Sequence, residues 1–224
     1  MSSLALQRQL LDGLPPRVDR DSEARKARRR LYPVSIVYST YALTLLAVTL
    51  AGEDRLVALG FFLLGGGAWT ALEYWVHRYI LHGRFPDGPR AKQHVLHRLF
   101  DHLHLEHHKR PWDGNHVNGT LKDTGVFVVL FIALSWAFPI ATAPMFVAGL
   151  IQFYVLEEWV HHSVHFCNFK ARYFQYIKRH HLYHHSPRGF EVGYGLTSGF
   201  WDVVCDTRIP DKDRQALYAP LRRG

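Results

Sequence analysis

YVLEEWVHHSVHFCNFKARYFQYIKRHHLYHH, residues 154–185, decides how this chain is read. The stretch holds seven of the sixteen histidines, spaced as helical metal ligands would be. His161 and His165 are four residues apart, and His181, His184 and His185 follow an i, i+3, i+4 pattern. At about 3.6 residues per turn, each set projects its imidazoles from one helix face. An apolar run leads straight into it.

Working outward, the same pattern recurs upstream. His104, His107 and His108 lie in HLEHH, and His77 and His82 lie in EYWVHRYILH. With the downstream pairs this makes ten candidate ligands: His77, His82, His104, His107, His108, His161, His165, His181, His184 and His185. The five-residue spacing of His77 and His82 would set them about 140° apart on a regular helix, so that pair is expected to straddle a helix end. His94, His97, His102, His116, His162 and His180 fall off these templates and read as surface or supporting residues. His162 points about 100° away from the His161 face.

Between the histidine clusters the apolar residues come in long blocks. Leu31 to Gly52 is 22 residues without a charge, and Leu56 to Leu72 adds 17 more. Each suits a bilayer core of about 30 Å. A cleaved signal peptide would have a shorter apolar region and a shorter basic lead. Thr124 to Leu156 runs 33 residues uncharged, and Pro139 and Pro144 should split it into two helices with a tight turn. Each arm is short for a full span, so a shallow re-entrant hairpin is the other reading of this segment. The expected fold is an all-α integral membrane protein, with four transmembrane helices in two hairpins and a cytosolic helical cap carrying the histidines. The expected division is a basic N-terminal arm over 1–30, a membrane domain over 31–210 and a C-terminal tail over 211–224.

The net charge of +8 and pI near 9.6 would also suit nucleic acid. But eight of the 27 basic residues crowd into positions 1–30, which fits anchoring with the positive side inside and argues against a nucleic-acid partner. On that rule both termini and all sixteen histidines face the cytoplasm. Cys167 and Cys205 show no CxxC spacing and read as reduced thiols.

Ten histidines exceed what one structural or catalytic zinc takes, and suit two metals held close together. Imidazole alone does not choose among iron, zinc and copper. Open positions at a lipid surface without thiolates suit a non-haem di-iron centre that activates O2 as co-substrate; zinc can replace the iron in a purified protein. Such an oxidant breaks unactivated C–H bonds, which no side-chain acid or base does. Glu158, three residues before His161, and Glu73, four before His77, are candidates to accept a ring N–H from a metal-bound imidazole. Tyr74, Trp75, Tyr154, Trp159 and Tyr173 read as an interfacial aromatic belt. A metal transporter or store would need charged residues inside the spans. The three uncharged runs contain none.

The set HxxxxH, HxxHH, HxxxH, HxxHH on two membrane hairpins resembles the fatty acid hydroxylase superfamily of integral-membrane dimetal oxygenases. The matching stretches are EYWVHRYILH (73–82), HLEHHKRPWDG (104–114), EEWVHHSVH (157–165) and HLYHHSPRGFEVGYGLTSGFWDVVCDT (181–207). The last of these is closest to fatty acid 2-hydroxylases, and the resemblance covers roughly 31–210. It implies O2-dependent hydroxylation at the carbon next to the acyl carboxyl of a fatty acid or sphingolipid acyl group, with the ten histidines as ligands and Glu158 as the acidic residue before the third cluster. Sterol or carotenoid hydroxylases and desaturases of the same superfamily are the rival. Eukaryotic members often carry a fused cytochrome b5 domain; none is visible here, so a separate cytochrome b5- or ferredoxin-type electron donor is implied. Asn115–Thr120 replaces a segment common in the family, and the spacing leaves room for His180 to act in place of His181. Independently, histidines that follow directly on helix ends place the metals near headgroup depth, where an anchored acyl chain presents C1 to C3.

Overall fold

The carboxylate of Asp19 starts the first helix. It accepts from the Asp21 and Ser22 N–H groups at 3.0 and 3.2 Å, and Asp21 and Glu23 add negative charge to the first turn, where the helix dipole favours it. α1 therefore spans Arg20–Leu50, so residues 20–30 of the expected basic arm are its first turns, while residues 1–17 of that arm lie outside the described residues. This computed structural model describes residues 18–83, 85, 88–90, 93, 97 and 102–218; His94 and the His102 side chain lie outside the described residues.

α2 spans Arg55–Trp75 and widens without a break into a π-helical turn over Val76–Leu81. α3 is His102–Lys109, α4 is Leu121–Ser135 and α5 is Ala143–Phe166. α6 is Arg172–His184, α7 is Phe200–Val204 and α8 is Asp211–Tyr218. No strand occurs among the described residues. The break between α4 and α5 falls at the two prolines, with Pro144 in the first turn of α5, where its missing N–H costs nothing.

Among the described residues, two helices are long and apolar enough to cross a membrane: α1, and α2 with its π turn. Large apolar side chains stand exposed along both, among them Ile36, Leu43, Val48, Leu56 and Leu63. On α4, Val126, Val129, Phe131 and Leu134 do the same. Such continuous apolar surface suits lipid rather than water.

The helices pack around α5. Leu31, Val34 and Tyr38 of α1 bury against Val147, Ile151 and Val155 of α5. Ala58 and Phe62 of α2 meet Met145 and Ala148. Small residues let α2 and α5 approach closely: a Cβ on Gly65 would lie 2.0 Å from the Phe146 carbonyl oxygen, and one on Gly149 2.0 Å from that of Phe62. Without a hydrophobic drive in lipid, such close backbone contact is what holds helices together.

At one end of this bundle α5 carries its histidines, and the start of α1 is fastened there too. Arg20 donates to the His165 carbonyl at 3.2 Å, and the Gly114 N–H donates to Glu23 at 3.0 Å. Residues 211–218, expected within a tail, form α8 and dock on α6. Tyr183, Ile209 and Leu217 make a small core there, with Tyr183 donating to Asp213 at 2.6 Å.

Candidate metal centre

The ten histidines singled out by spacing come together as two groups of five. His77, His82, His104, His108 and His184 form the first; His107, His161, His165, His181 and His185 form the second. Within each group the ring nitrogens facing the centre lie within 4.8 Å of one another. In the first, His104 Nε2 is 3.1 Å from that of His77, 3.0 Å from His82 and 3.1 Å from His108, and His184 Nε2 is 3.0 Å from His82. In the second, His161 Nε2 is 3.2 Å from His107 and from His165, and His181 Nε2 is 2.9 Å from His165 and 3.0 Å from His185. The groups are neighbours, since the His108 and His185 rings stack with centroids 4.2 Å apart.

Helical periodicity builds most of this. On α3, His104 and His108 serve the first group and His107 the second. On α5, His161 and His165 stand one turn apart. At the C-terminal end of α6, His181 and the capping residue His185 face the second group while His184 turns to the first. The pair His77 and His82 straddles a helix end, as its spacing suggested: His77 lies in the π turn, which stops at Leu81, and His82 is its C-cap. The His82 N–H donates to the His77 carbonyl at 3.0 Å, an i to i+5 bond that widens the helix and brings the two rings to 5.0 Å. Such π turns are rare and gather at functional sites.

Two backbone carbonyls set ring tautomers. His77 Nδ1 is hydrogen-bonded to the Tyr194 carbonyl, and His184 Nδ1 is 2.8 Å from that of Val192. A carbonyl only accepts, so each Nδ1 carries the proton and each Nε2 aims a lone pair at its group. Burial, and after it the neighbouring imidazoles, hold His104, His107, His181 and His185 well below the ordinary histidine range. Burial likewise lowers His82 to about 3, His108 to about 2 and His184 to about 4. All are neutral at pH 7. Five neutral imidazoles converging lone pair to lone pair repel one another unless a shared cation lies between them. Donors about 2.1 Å from one ion and at right angles stand about 3.0 Å apart, close to the separations seen. Each group therefore fits one metal ion.

The two carboxylates expected to orient imidazoles point elsewhere. Glu73 accepts from the Leu196 and Thr197 N–H groups and the Thr197 hydroxyl, at 2.7, 2.8 and 2.8 Å. Glu158 accepts from Asn118, the Gly119 N–H and the Tyr154 hydroxyl at 2.7, 3.2 and 2.8 Å. Spacing of three or four residues put them on the right helix face, but these nearer donors claim them. His181 rather than His180 stands in the second group; His180 Nε2 is 3.1 Å from Asp202, and its Nδ1 is 3.0 Å from the Tyr218 hydroxyl. His162 packs against Trp159 and Phe166, His97 meets the Phe85 carbonyl and His116 lies beside Asp113.

Asp202 is what the sequence reading missed. It accepts from the Tyr194 and Gly195 N–H groups at 2.8 and 3.0 Å and from Thr207 at 2.8 Å. It thereby holds the loop whose carbonyls set His77 and His184. The one local signal was Gly193, which takes a φ of 71° that side chains resist.

Residues 62–207 match the family model for fatty acid hydroxylases. The chain belongs to the fatty acid hydroxylase family. It is 34% identical over 161 residues to fatty acid 2-hydroxylase of Rattus norvegicus, covering 70% of this chain and 41% of that one. A dihydroceramide fatty acyl 2-hydroxylase of Arabidopsis thaliana is 34% identical over 140 residues, 62% of this chain and 56% of that one. The chain thus spans about two fifths of the rat relative and somewhat over half of the plant one. The hydroxylase domain visible in a structure of full-length Scs7p superposes with a TM-score of 0.66 at 27% identity, covering 86% of this chain and 69% of that one. This bears out the resemblance read from the histidine motifs, and the fatty acid hydroxylase match contains all ten clustered histidines.

Proposed function

We propose that this protein is a multi-pass membrane monooxygenase that hydroxylates a fatty acyl chain at C2. The observation that carries the reading is the side-by-side pair of five-imidazole groups, fixed at one end of a bundle with apolar outer faces. The two groups would hold two metal ions, iron in the first place, with the ten histidines as ligands. When bound, such a pair supplies the oxidising power to remove hydrogen from an unactivated C–H bond. The reaction consumes O2, two electrons and two protons, and returns the 2-hydroxy acyl group and water. The electrons come from a separate cytochrome b5- or ferredoxin-type protein.

The chain's own residues supply ligation, orientation and depth. The Tyr194 and Val192 carbonyls keep two Nε2 lone pairs on the metal side. Glu73 and Asp202 fix the loop that carries those carbonyls. The π turn continues a membrane-length helix, which supports a site at headgroup depth, where C2 of an anchored acyl chain lies. α4, at about 22 Å, is short for a crossing of about 30 Å. With α5 we take it as the second hairpin, its turn opposite the histidines. The basic first turns of α1 share the histidine end, which supports a cytoplasmic site under the positive-inside rule.

The test is anaerobic purification with metal analysis, followed by turnover with 18O-labelled O2, a reductant and an acyl lipid. Two metals per chain and one labelled oxygen at C2 are expected. A single metal, or none, overturns the dimetal reading. Labelled product from a sterol or carotenoid but from no acyl lipid would move the substrate elsewhere in the superfamily.

A further inference from the structure

One short turn outside the membrane-length helices shows its apolar side chains and hides its charge. α7 reads FWDVV, and its Phe200, Val203 and Val204 are 59, 55 and 57% exposed. Positions i, i+3 and i+4 share one helix face, so the three form a single patch. Asp202 on the same turn is buried and points inward, to the Tyr194 and Gly195 N–H groups. A turn facing water carries the opposite pattern.

The depth of α7 says what covers the patch. Trp201 donates from Nε1 to the Thr70 hydroxyl at 3.2 Å. Thr70 belongs to the membrane-length stretch Arg55–Leu81, and at 1.5 Å per residue it stands about 16 Å before the end of that stretch. α7 therefore lies beside a span. The segment next to it fits a headgroup layer. Tyr173 is exposed and donates to the Thr197 carbonyl at 2.9 Å, and Phe169, Lys170 and Arg172 are exposed close by in the chain. Aromatic and basic side chains together suit that layer.

We infer that α7 is sunk into the leaflet at the histidine end, with Phe200, Val203 and Val204 among the upper acyl carbons, and that this insertion supports the first histidine group through Asp202. The occupant of the face is lipid hydrocarbon, because the patch continues the exposed apolar surface of α2. Interfacial helices of this kind sink about 5–10 Å into the boundary between headgroups and chains. Part of the cap thus lies in the bilayer. If the turn were drawn into water, Asp202 would leave the N–H groups it holds, and the Tyr194 carbonyl that orients His77 would move with them. The second group takes its ligands from α3, α5 and the end of α6 and has no such tie. This inference rests on the membrane reading of α2, not on the reaction.

The test places the metal-loaded full chain in phosphatidylcholine–phosphatidylglycerol vesicles containing a phospholipid with a diazirine near the top of one acyl chain. After illumination, peptide mass spectrometry should find label on residues 200–204 and on Leu72, exposed on α2, but not on Gln215, exposed on α8. Label on Leu72 and none on 200–204 overturns the insertion, as would occur if a second copy of the chain covered the face. Label on neither overturns the membrane reading as well. The variant F200S/V203S/V204S removes the patch without touching a ligand. In vesicles with a chelator it should release one metal per chain about tenfold faster than wild type, the scale for losing support behind a metal ligand. Without metal, its Tyr194 and Gly195 N–H groups should exchange faster with deuterium. Unchanged metal release and unchanged exchange overturn the support through Asp202.

Discussion

The two histidine groups contain the same five imidazoles' worth of ligands but are supported differently. The second is assembled from regular helices: His107 of α3, one i, i+4 pair on α5 and another formed by His181 of α6 and its C-cap His185. The first needs a π turn, one residue from α6, and two loop carbonyls that choose ring tautomers. The second group stands on periodicity, while the first depends on a loop tied down by Glu73 and Asp202. Damage to distant residues should therefore loosen one group and spare the other, whereas loss of a ligand from either should disable the one reaction proposed for the pair.

The largest effects come from the ligands. On the proposed dimetal reading, His184→Ala in the first group and His181→Ala in the second should each lower kcat/KM by more than about a hundredfold. Each should also reduce bound metal from about two per chain to about one. Metal analysis beside turnover checks this. A variant that keeps both metals and half its activity would remove that histidine from the ligand set.

Acid should strike the metal-free protein next. His82, His108 and His184 have folded-state pKa values of about 3, about 2 and about 4, against about 6.5 for an unfolded histidine. The unfolded chain therefore takes up protons first. The stability these groups contribute is complete above about pH 6.5 and is lost as pH falls through their folded values, about 4 for His184, about 3 for His82 and about 2 for His108. At pH 5 each costs about 2 kcal/mol. The metal-free protein in detergent should melt lower at pH 5 than at pH 7, and bound metal should narrow the gap. Equal melting of the metal-free form at both values would mean that the imidazoles are not held neutral by burial.

Asp202→Ala sharpens the contrast because it touches no ligand of either group. It leaves the Tyr194 and Gly195 N–H groups buried without their acceptor, at about 1–3 kcal/mol each. Metal should leave the first group, while the second keeps most of its own. Retention against a chelator, followed by stoichiometry, reads this out, and equal loss from both groups would deny that the loop serves one of them.

The second group was largely legible in the sequence because its spacing is that of the α-helix, and His104 and His108 were legible for the same reason. The spacing of His77 and His82 pointed to the helix end that His82 caps, but a regular 3.6-residue repeat carries no trace of the π widening just before it. Neither the Val192 and Tyr194 carbonyls nor the role of Asp202 leaves a periodic trace, because loop hydrogen bonds depend on backbone path rather than side-chain pattern. Glu73 and Glu158 lie at the expected helical offsets, yet offset alone does not reveal the N–H donors that other segments bring to them. The start of α1 was hidden by charge. An uncharged run marks the apolar part of a helix, and the true beginning at Arg20 depends on the Asp19 cap.

Arg20 supplies the smallest and most selective prediction. Its guanidinium donates to the His165 carbonyl, in the last turn of α5, where helix carbonyls lack internal partners. A cation there also complements the negative end of the helix dipole. Arg20→Ala should cost about 1 kcal/mol of stability and let the last turn of α5 fray. His165 is the ligand in that turn and belongs to the second group alone. Metal retention there should weaken two- to fivefold, on the order of the same free energy, while the first group is unaffected. This is the converse of Asp202→Ala. If Arg20→Ala loosened the first group instead, α1 would be acting through the whole cap, and the division of support between helix and loop would have to be abandoned.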